Sequence, residues 1–290
     1  MAELSLDPSP ALDPAIGTGN WKAYSLPLER IYTAAEQWKR RLEGIEKPWL
    51  CWNVSPRWSV LQQKLVRHVG WTPVVGFDPR FGAPPVIPEA ILIDFNQSFQ
   101  FSVMWPHFPL EFAFLWAPRL AFWHADLLCR FPVLEKLATM FAAVPAGSMA
   151  AVLDKGGLRN ALNFKSHRYW ELSGCTTAEA SADQFQKGAG WWRCWDQHPS
   201  CTDPAERARR SAYSYDSGVG ILYWKNEYRG SVVDVDLKLV NEGHCSEITS
   251  KNYVEGPGHR SAQRNLAWEL DRNYSIDEVA KRLGIASLLD

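Results

Sequence analysis

Apolar positions in the first half of the chain follow two different periods. From Leu28 to Leu42, apolar residues recur every three to four positions with charged residues between them, which predicts an amphipathic helix. The same helical spacing returns from Arg57 to His68 and between Phe131 and Phe141. Short apolar runs typical of buried strands lie between these helices, at residues 48–54, 72–77, 90–95, 120–123 and 149–153.

Strands that alternate with helices indicate the fold class. Such units build parallel sheets whose faces are covered by the helices. We therefore expect an α/β protein with an open, mostly parallel sheet flanked by helices, a short N-terminal arm and a helical C-terminal tail. In sheets of this kind, ligands bind at the carboxyl ends of the strands.

The pattern changes after Gly156. Between Lys165 and Ser200, aromatic residues, glycines and polar residues mix without a clean period, which is more typical of a segment that builds a site than of a layer. Beyond this segment, the pattern predicts a charged helix at residues 204–210, strands at 219–224 and 232–239, and a closing helix at 275–283.

Charge and cysteine content narrow the class of protein. Lys and Arg number 31 against 32 Asp and Glu, so no basic excess points to a nucleic-acid partner. The first residues lack the pattern of a secretion signal, and no window is apolar enough for a transmembrane segment. We expect a soluble, cytoplasmic protein whose six cysteines are reduced.

The composition has one outlier, the 15 tryptophans. A tryptophan-rich core would account for them. Some of them could equally line a binding groove, because an indole offers a flat apolar face and one N–H donor that suit a sugar ring.

The first candidate for chemistry is His124-Ala-Asp126, at the expected end of the fourth strand. Side chains two positions apart on an extended backbone point to the same side. A divalent cation such as Mn²⁺ or Mg²⁺ prefers carboxylate oxygens, and Mn²⁺ also accepts imidazole. Alternatively, Asp126 caps a helix that starts at Leu127 while His124 lies in the core.

A second candidate, Gly243-His244, follows the last predicted strand within the stretch Asn241–Cys245. A histidine on a tight turn at that point could supply a further metal ligand from a distant part of the sequence. It could also be an ordinary surface histidine.

Together these features resemble the nucleotide-sugar-dependent glycosyltransferases of the GT-A fold, over about Trp49 to Cys245. In that family, an Asp-x-Asp motif and often a C-terminal histidine bind the divalent metal and the donor diphosphate. The resemblance implies that Asp126 matches the second Asp and His244 the late histidine. His124 stands where the family has the first Asp.

The resemblance also implies a division of the chain. Residues 1–47 would form the N-terminal arm and entry helix, residues 48–250 the catalytic domain, and residues 251–290 a C-terminal linker and helix. Within the catalytic domain, we expect residues 48–155 to bind the nucleotide and residues 156–250 the acceptor.

Several residues are candidates for the donor side. Asp78 could accept a hydrogen bond from a base or ribose while Arg80 reaches a phosphate, and Asp94 ends the third strand in a similar way. His167 and Arg168 could hold the leaving pyrophosphate. The alternatives are an Asp-Pro turn with a surface Arg at the first pair, and an ion pair between Arg168 and Glu171.

The acceptor side is expected in the Gly188–His198 stretch. It is similar to the Gly-Trp-rich acceptor loops of some inverting GT-A enzymes, although the acidic pair that usually follows there is missing. Inversion needs a general base, which a carboxylate can provide. The candidates are Asp196 and then Asp216 for the base, with Trp191, Trp192 and Trp195 shaping the acceptor surface.

Two other classes remain open. Cys175, Cys194, His198 and Cys201 could hold zinc in an interaction domain, although the tight Cys-x2-Cys spacing of structural sites is absent. A non-catalytic carbohydrate-binding protein could use the tryptophans alone. The sequence lacks the motifs of serine hydrolases, P-loop enzymes and dinucleotide-binding enzymes. We expect a metal-assisted glycosyltransferase acting on a nucleotide-sugar donor and a glycan or small-molecule acceptor.

Overall fold

The computed structural model describes residues 28–101, 104–154, 168–191, 201–211, 213, 218–245, 270–271 and 274–289. Its strands are β1 (Pro48–Asn53), β2 (Thr72–Phe77), β3 (Ile91–Leu92), β4 (Arg119–Trp123), β5 (Ser148–Asp154), β6 (Arg168–Thr177) and β7 (Ser231–Asp236). Its α-helices are α1 (Leu28–Arg41), α2 (Pro56–His68), α3 (His107–Glu111), α4 (Ala113–Trp116), α5 (Phe131–Ala142), α6 (Ala178–Gln186), α7 (Pro204–Ser211), α8 (Val219–Glu227), α9 (Leu237–Val240) and α10 (Ile276–Leu283). Short 3₁₀ turns cover Asn241–Gly243 and Ala286–Leu288.

The strands form one mixed sheet with the order β3-β2-β1-β4-β6-β5-β7. Neighbouring strands from β3 to β4 are parallel, and β7 is parallel to β5. Only β6 runs against its neighbours β4 and β5 within this sheet. The predicted α/β class with a mostly parallel sheet is confirmed. The carboxyl ends of β1, β2 and β4 consequently lie at one edge, where parallel sheets bind ligands.

Tryptophan side chains form much of the core. Trp49 of β1 is fully buried, and its ring contacts Trp71 and Trp123 with centroids 5.4 and 5.1 Å apart. Of the tryptophans in the described part of the chain, only Trp105 and Trp170 keep partial exposure. The core interpretation therefore accounts for most of the tryptophans that the structure describes.

Three predictions differ from the structure. The strand expected at residues 232–239 ends at Asp236, because residues 237–240 form helix α9. Residues 219–224 belong to helix α8 and not to a strand. The run is apolar almost throughout, and a short apolar run fits a buried helix as well as a buried strand. The patternless segment after Lys165 contains strand β6 and helix α6, so part of it does build a layer. Its strand was hidden because β6 lies inside the sheet and carries an acid and a glycine among its apolar residues.

Helix α10 packs against the N-terminal part of the sheet through α2. Arg57 of α2 forms an ion pair with Asp277, and Lys64 donates a hydrogen bond to the carbonyl of Leu288. Leu283 lies close to the turn that contains Gly243. The C-terminal helix thus supports the back of a turn at the edge of the sheet. Within the described ranges, no helix combines the length and the apolar character that a bilayer-spanning segment requires.

Candidate metal centre

Backbone hydrogen bonds bring two distant segments together beyond the end of β4. His124 is the first residue after β4, and its N–H donates to the carbonyl of Leu172 in β6. The N–H of Cys245 donates to the backbone carbonyl of Asp126 at 2.9 Å, and the N–H of Leu128 donates to the backbone carbonyl of Gly243 at 3.1 Å. This short antiparallel bridge places His244 beside Asp126.

Three side chains converge at this bridge. Nδ1 of His124 lies 3.4 Å and Nε2 of His244 lies 3.6 Å from Oδ1 of Asp126. One potential ligand atom from each residue lies within 4.8 Å of the other two. Atoms that bind one cation at about 2.1 Å are separated by about 3.0 to 3.5 Å, so small side-chain movements would complete such a site. Within the described ranges, no other cluster of His, Cys, Asp and Glu has this geometry.

The chemistry of the donor set fits a divalent cation. Oδ1 of Asp126 is buried, and its contacts with His124 and His244, at 3.4 and 3.6 Å, are longer than a normal charge-assisted hydrogen bond. The Asp126 side chain as a whole is 25% exposed and that of His124 is 31% exposed, so a ligand can approach from solvent. A buried carboxylate oxygen that makes only such long contacts is well placed to bind a cation. One carboxylate and two imidazoles suit several divalent metals, including Mn²⁺ and Fe²⁺.

The alternative interpretation of Asp126 as a helix cap is wrong. Helix α5 begins at Phe131, and its N-cap is Arg130. Residues between Asp126 and the helix are extended, with Leu127 forming the bridge to His244. Asp126 is therefore available to the cluster.

Two more buried side chains extend the contacts of His124, because Glu171 contacts His124 and His107 contacts Glu171. Glu171 of β6 places Oε1 3.3 Å from Nε2 of His124 and 2.9 Å from Nε2 of His107, the first residue of α3. Glu171 and His107 are 7% and 6% exposed. The His124 ring therefore lies between two carboxylates, with Asp126 facing one nitrogen and Glu171 facing the other.

These contacts favour the ionised forms of His124, Asp126 and Glu171. Burial disfavours the charged His124 ring, but hydrogen bonds and charge from Asp126 and Glu171 outweigh it and raise its pKa to about 10. Burial also opposes ionisation of Asp126, yet the charge of His244 and hydrogen bonds from both histidines hold its pKa well below the usual range. For Glu171, burial is outweighed chiefly by His107 and then His124, so its pKa is also lowered.

Gln62 of α2 holds the backbone of the loop after β4 through two hydrogen bonds. Its Nε2 donates hydrogen bonds to the carbonyls of His124 and Leu127, at 2.7 and 2.8 Å. The side chain is fully buried. Both acceptors flank Asp126 in the sequence. Gln62 therefore holds in place the backbone that carries the Asp126 carboxylate.

The predicted donor-side residues at β2 contact each other. Asp78 follows β2 and is buried, and its two carboxylate oxygens accept hydrogen bonds from Arg80 at 2.7 to 3.0 Å. The guanidinium of Arg80 also lies over the rings of Phe81 and Trp105. The pair is therefore more than a turn with a surface arginine. Asp94 is exposed after β3 and accepts from the N–H of Asn96.

The second predicted donor pair is described only in part. Arg168 begins β6, and its guanidinium lies 5.1 Å from the ring centroid of Trp170. The Trp170 ring in turn lies 6.1 Å from that of His244. Arg168 is thus two contacts away from the cluster. His167 lies outside the described residues.

Trp191 does not present an open face to an acceptor. Its side chain is 1% exposed, and its ring meets Phe122 of β4 edge to face at 5.3 Å. It is a core residue, because the segment that carries it turns inward after α6. The buried Arg210 helps to fix this turn by donating to the carbonyls of Lys187 and Gly188. The other acceptor-side candidates, Trp192, Trp195, Asp196 and Asp216, lie outside the described residues.

The alternative zinc site loses support at one of its ligands. Cys175 lies in β6 and is fully buried between β4 and β5. Burial raises the pKa of its thiol to about 12, against a lowering by Arg119. Zinc binds the thiolate, so this position is unfavourable for a ligand. Cys201 is a free buried cysteine, and Cys194 and His198 lie outside the described residues.

The sequence predicts the three converging residues but not the residues that contact them. It predicts Glu171 only as an ion-pair partner of Arg168, and it gives no indication of a role for His107 or Gln62. Gln62 is an ordinary polar residue in a helical stretch, and His107 follows an apolar segment. Their importance depends on long-range contacts, for which a single sequence contains no local signal.

No family model, curated protein or solved structure matches the chain. The function must therefore be argued from the residues of this chain.

Proposed function

We propose that the protein is a glycosyltransferase that uses a nucleotide-sugar donor and a divalent cation held by His124, Asp126 and His244. The observation that carries the proposal is the convergence of these side chains beyond the end of β4, in a largely parallel sheet. Ligands with phosphate groups bind at this edge of many α/β sheets. A cation there would connect the protein to the donor diphosphate.

Each ligand would contribute in a distinct way. Asp126 supplies the negative charge that attracts a cation, and its buried Oδ1 is available for coordination. The imidazoles of His124 and His244 would supply the other two ligands, and the partial exposure of Asp126 and His124 would let phosphate oxygens approach. When bound, the cation would neutralise charge on the diphosphate as the glycosidic bond breaks.

The neighbouring strands suggest where the rest of the donor would lie. Asp78 holds Arg80 by a bidentate ion pair at the end of β2, so Asp78 would act by fixing the guanidinium. Arg80, which lies over the Trp105 ring, would then supply positive charge to a donor phosphate. Arg168 beside Trp170 is the second cationic candidate near the cluster. Asp196 or Asp216 would serve as the acceptor base.

A second candidate function follows from the donor set itself. Two histidines and one carboxylate with open positions are also the ligands of mononuclear non-haem iron enzymes. The mostly parallel sheet supports the transferase, since sheets of this kind bind ligands with phosphate groups at their strand ends. A binding protein without catalysis is less well supported, because the described tryptophans are mostly buried and cannot form an exposed sugar-binding surface.

The direct test is a donor panel. Purified protein is incubated with individual nucleotide sugars, a mixture of glycan and small-molecule acceptors, and Mn²⁺, Mg²⁺, Fe²⁺ or a chelator. The sugar is transferred to an acceptor hydroxyl or to water, and the released nucleoside diphosphate is measured. We expect metal-dependent release from one donor and its loss in Asp126→Asn. Asp277→Asn is the matched control, because Asp277 is an exposed acid that pairs with Arg57. Absence of release from every donor, or release that persists in Asp126→Asn, would refute the transferase.

A further inference from the structure

The His124 ring is contacted from both sides. Its Nδ1 lies 3.4 Å from Oδ1 of Asp126, and its Nε2 lies 3.3 Å from Oε1 of Glu171. Glu171 is not a member of the converging group, and its Oε1 approaches the ring nitrogen that Asp126 does not approach. The ring thus separates a prospective cation from a second, deeper carboxylate.

The protonation of the imidazole ring determines which nitrogen of His124 can bind a metal. A neutral ring has one N–H donor and one lone pair, and only the lone pair can bind a metal. An ionised carboxylate only accepts hydrogen bonds. Glu171 therefore favours the form of His124 that has its proton on Nε2, which leaves the Nδ1 lone pair facing Asp126 and His244.

Glu171 is itself held in place. Strand β6 pairs with β4, with Trp123 opposite Ser173, and the N–H of His124 donates to Leu172. Nε2 of His107 reaches the same Oε1 atom at 2.9 Å. Both groups are buried, so water competes little for these bonds.

We propose that Glu171 and His107 are positioning residues that orient His124 so that it binds a divalent cation through Nδ1. The inference rests on the metal site of the proposed function and adds two residues and one atom to it. Carboxylates that hold the second nitrogen of a metal-binding histidine typically change metal affinity by about 10- to 100-fold.

The first experiment measures Mn²⁺ affinity of the full chain by the electron paramagnetic resonance signal of free Mn²⁺. Glu171→Gln keeps the size of the side chain but removes its charge, and we expect affinity to fall by about 10- to 100-fold. His107→Leu should weaken binding by about tenfold, and His107→Gln, which retains an N–H donor, should recover part of the loss. Glu242→Gln is the matched control, since Glu242 is exposed, pairs with Arg130 and lies two residues before His244.

A second experiment needs no substitution and therefore does not depend on whether a variant folds. Histidine labelled with ¹⁵N reports which ring nitrogen binds Zn²⁺, a diamagnetic probe, and which one carries the proton. We expect His124 in the Zn²⁺-loaded protein to be bound through Nδ1 and protonated at Nε2. A purely structural role for Glu171 makes no such demand on the ring.

The outcomes separate this inference from the proposed function. If the wild type binds neither metal, the metal site and the inference are both overturned. If the wild type binds Mn²⁺ and Asp126→Asn does not, while Glu171→Gln and the wild type have equal affinity, the metal site stands and the positioning role is overturned. Binding of Zn²⁺ through Nε2 of His124 also overturns it.

Discussion

The charge and the position of Asp126 both depend on the residues around it. Its charge is compensated by His124 and His244, and its backbone is held by Cys245 on one side and by the Gln62-anchored loop on the other. The pKa of Asp126 is lowered and that of His124 is raised to about 10. In the metal-free protein, the His124 ring therefore carries a proton that a bound cation would displace.

The first prediction concerns pH. At neutral pH the metal-free His124 ring is protonated, and metal binding must displace this proton. Apparent Mn²⁺ affinity should therefore rise by up to about tenfold per pH unit between pH 6 and 9. Calorimetry in buffers with different ionisation enthalpies should find about one proton released per ion. Equal affinity at pH 6 and 9 without proton release would show that His124 is not a ligand.

The same raised pKa has the opposite effect on the metal-free fold. A group whose pKa rises from 6.5 in the unfolded chain to about 10 stabilises the folded state fully below pH 6.5. This stabilisation is lost as the pH rises towards 10. High pH should therefore weaken the metal-free protein while it strengthens metal binding.

The second prediction concerns Gln62. In Gln62→Met, two hydrogen bonds to the loop are lost, although removal of the buried Oε1, which has no partner among the described residues, offsets part of the cost. We expect the free energy of unfolding in urea to fall by about 1 to 2 kcal/mol and Mn²⁺ affinity to fall several-fold.

Its neighbour Gln63 provides the matched control. Gln63 is equally buried in α2, but it bonds to Ser59, Pro85 and Ile87, which lie away from the cluster. Gln63→Met should destabilise the fold at least as much and leave Mn²⁺ affinity unchanged. Equal metal affinities of the two variants would contradict a specific role for Gln62.

At the scale of elements, the bridge between the β4 loop and the turn after α9 assembles the site. Gly243 is essential to it, because a Cβ atom there would lie 1.6 Å from the carbonyl oxygen of Leu128. No side chain can occupy that space unless the two segments separate. The position of His244 relative to Asp126 therefore depends on a glycine in the adjacent position.

The third prediction follows from this contact. Gly243→Ala should lower the free energy of unfolding by about 1 to 3 kcal/mol and weaken Mn²⁺ binding more than tenfold, because His244 moves away. Gly147→Ala is the control. Gly147 has φ +73° with open space around it, and it precedes β5 at the opposite edge of the sheet. That variant should lose about 1 to 2 kcal/mol of stability and keep its metal affinity.

The elements also show where prediction from sequence succeeds. Helices α1, α2 and α5 have strong periodicity and were found, as were the apolar runs of β1, β2, β4 and β5. The run from Val219 was misassigned because α8 is buried on most sides and lacks an amphipathic pattern. Strand β6 was missed because its polar residues, such as Glu171, face partners in other elements.

The site was predictable to a similar extent. His124 and Asp126 could be found because a strand end can be located from an apolar run. His244 was expected directly after a strand at residues 232–239. That strand, β7, ends at Asp236, and α9 and a 3₁₀ turn lie between it and His244. By contrast, the burial of Trp191 and the pairing of Asp78 with Arg80 depend on how α6 and the loop after β2 fold back, and neither is encoded in a local period.

In the whole molecule, the candidate residues Asp78 and His124 lie at the carboxyl ends of the parallel strands. Asp78 follows β2 and His124 follows β4, and β1 separates these two parallel strands. The bridge adds His244 from the far end of the sheet, and α10 supports that turn from behind. The proposed donor would have to extend past the end of β1 to reach both Arg80 and the cluster.

Isothermal titration of nucleoside diphosphates into the protein, with and without Mn²⁺, for the wild type and Asp126→Ala, tests metal-assisted donor binding most directly. We predict that one nucleoside diphosphate binds the wild type only when Mn²⁺ is present, and that Asp126→Ala abolishes this binding. If no nucleoside diphosphate binds under either condition, or if binding is the same without Mn²⁺ and in the variant, the metal-assisted transferase is contradicted.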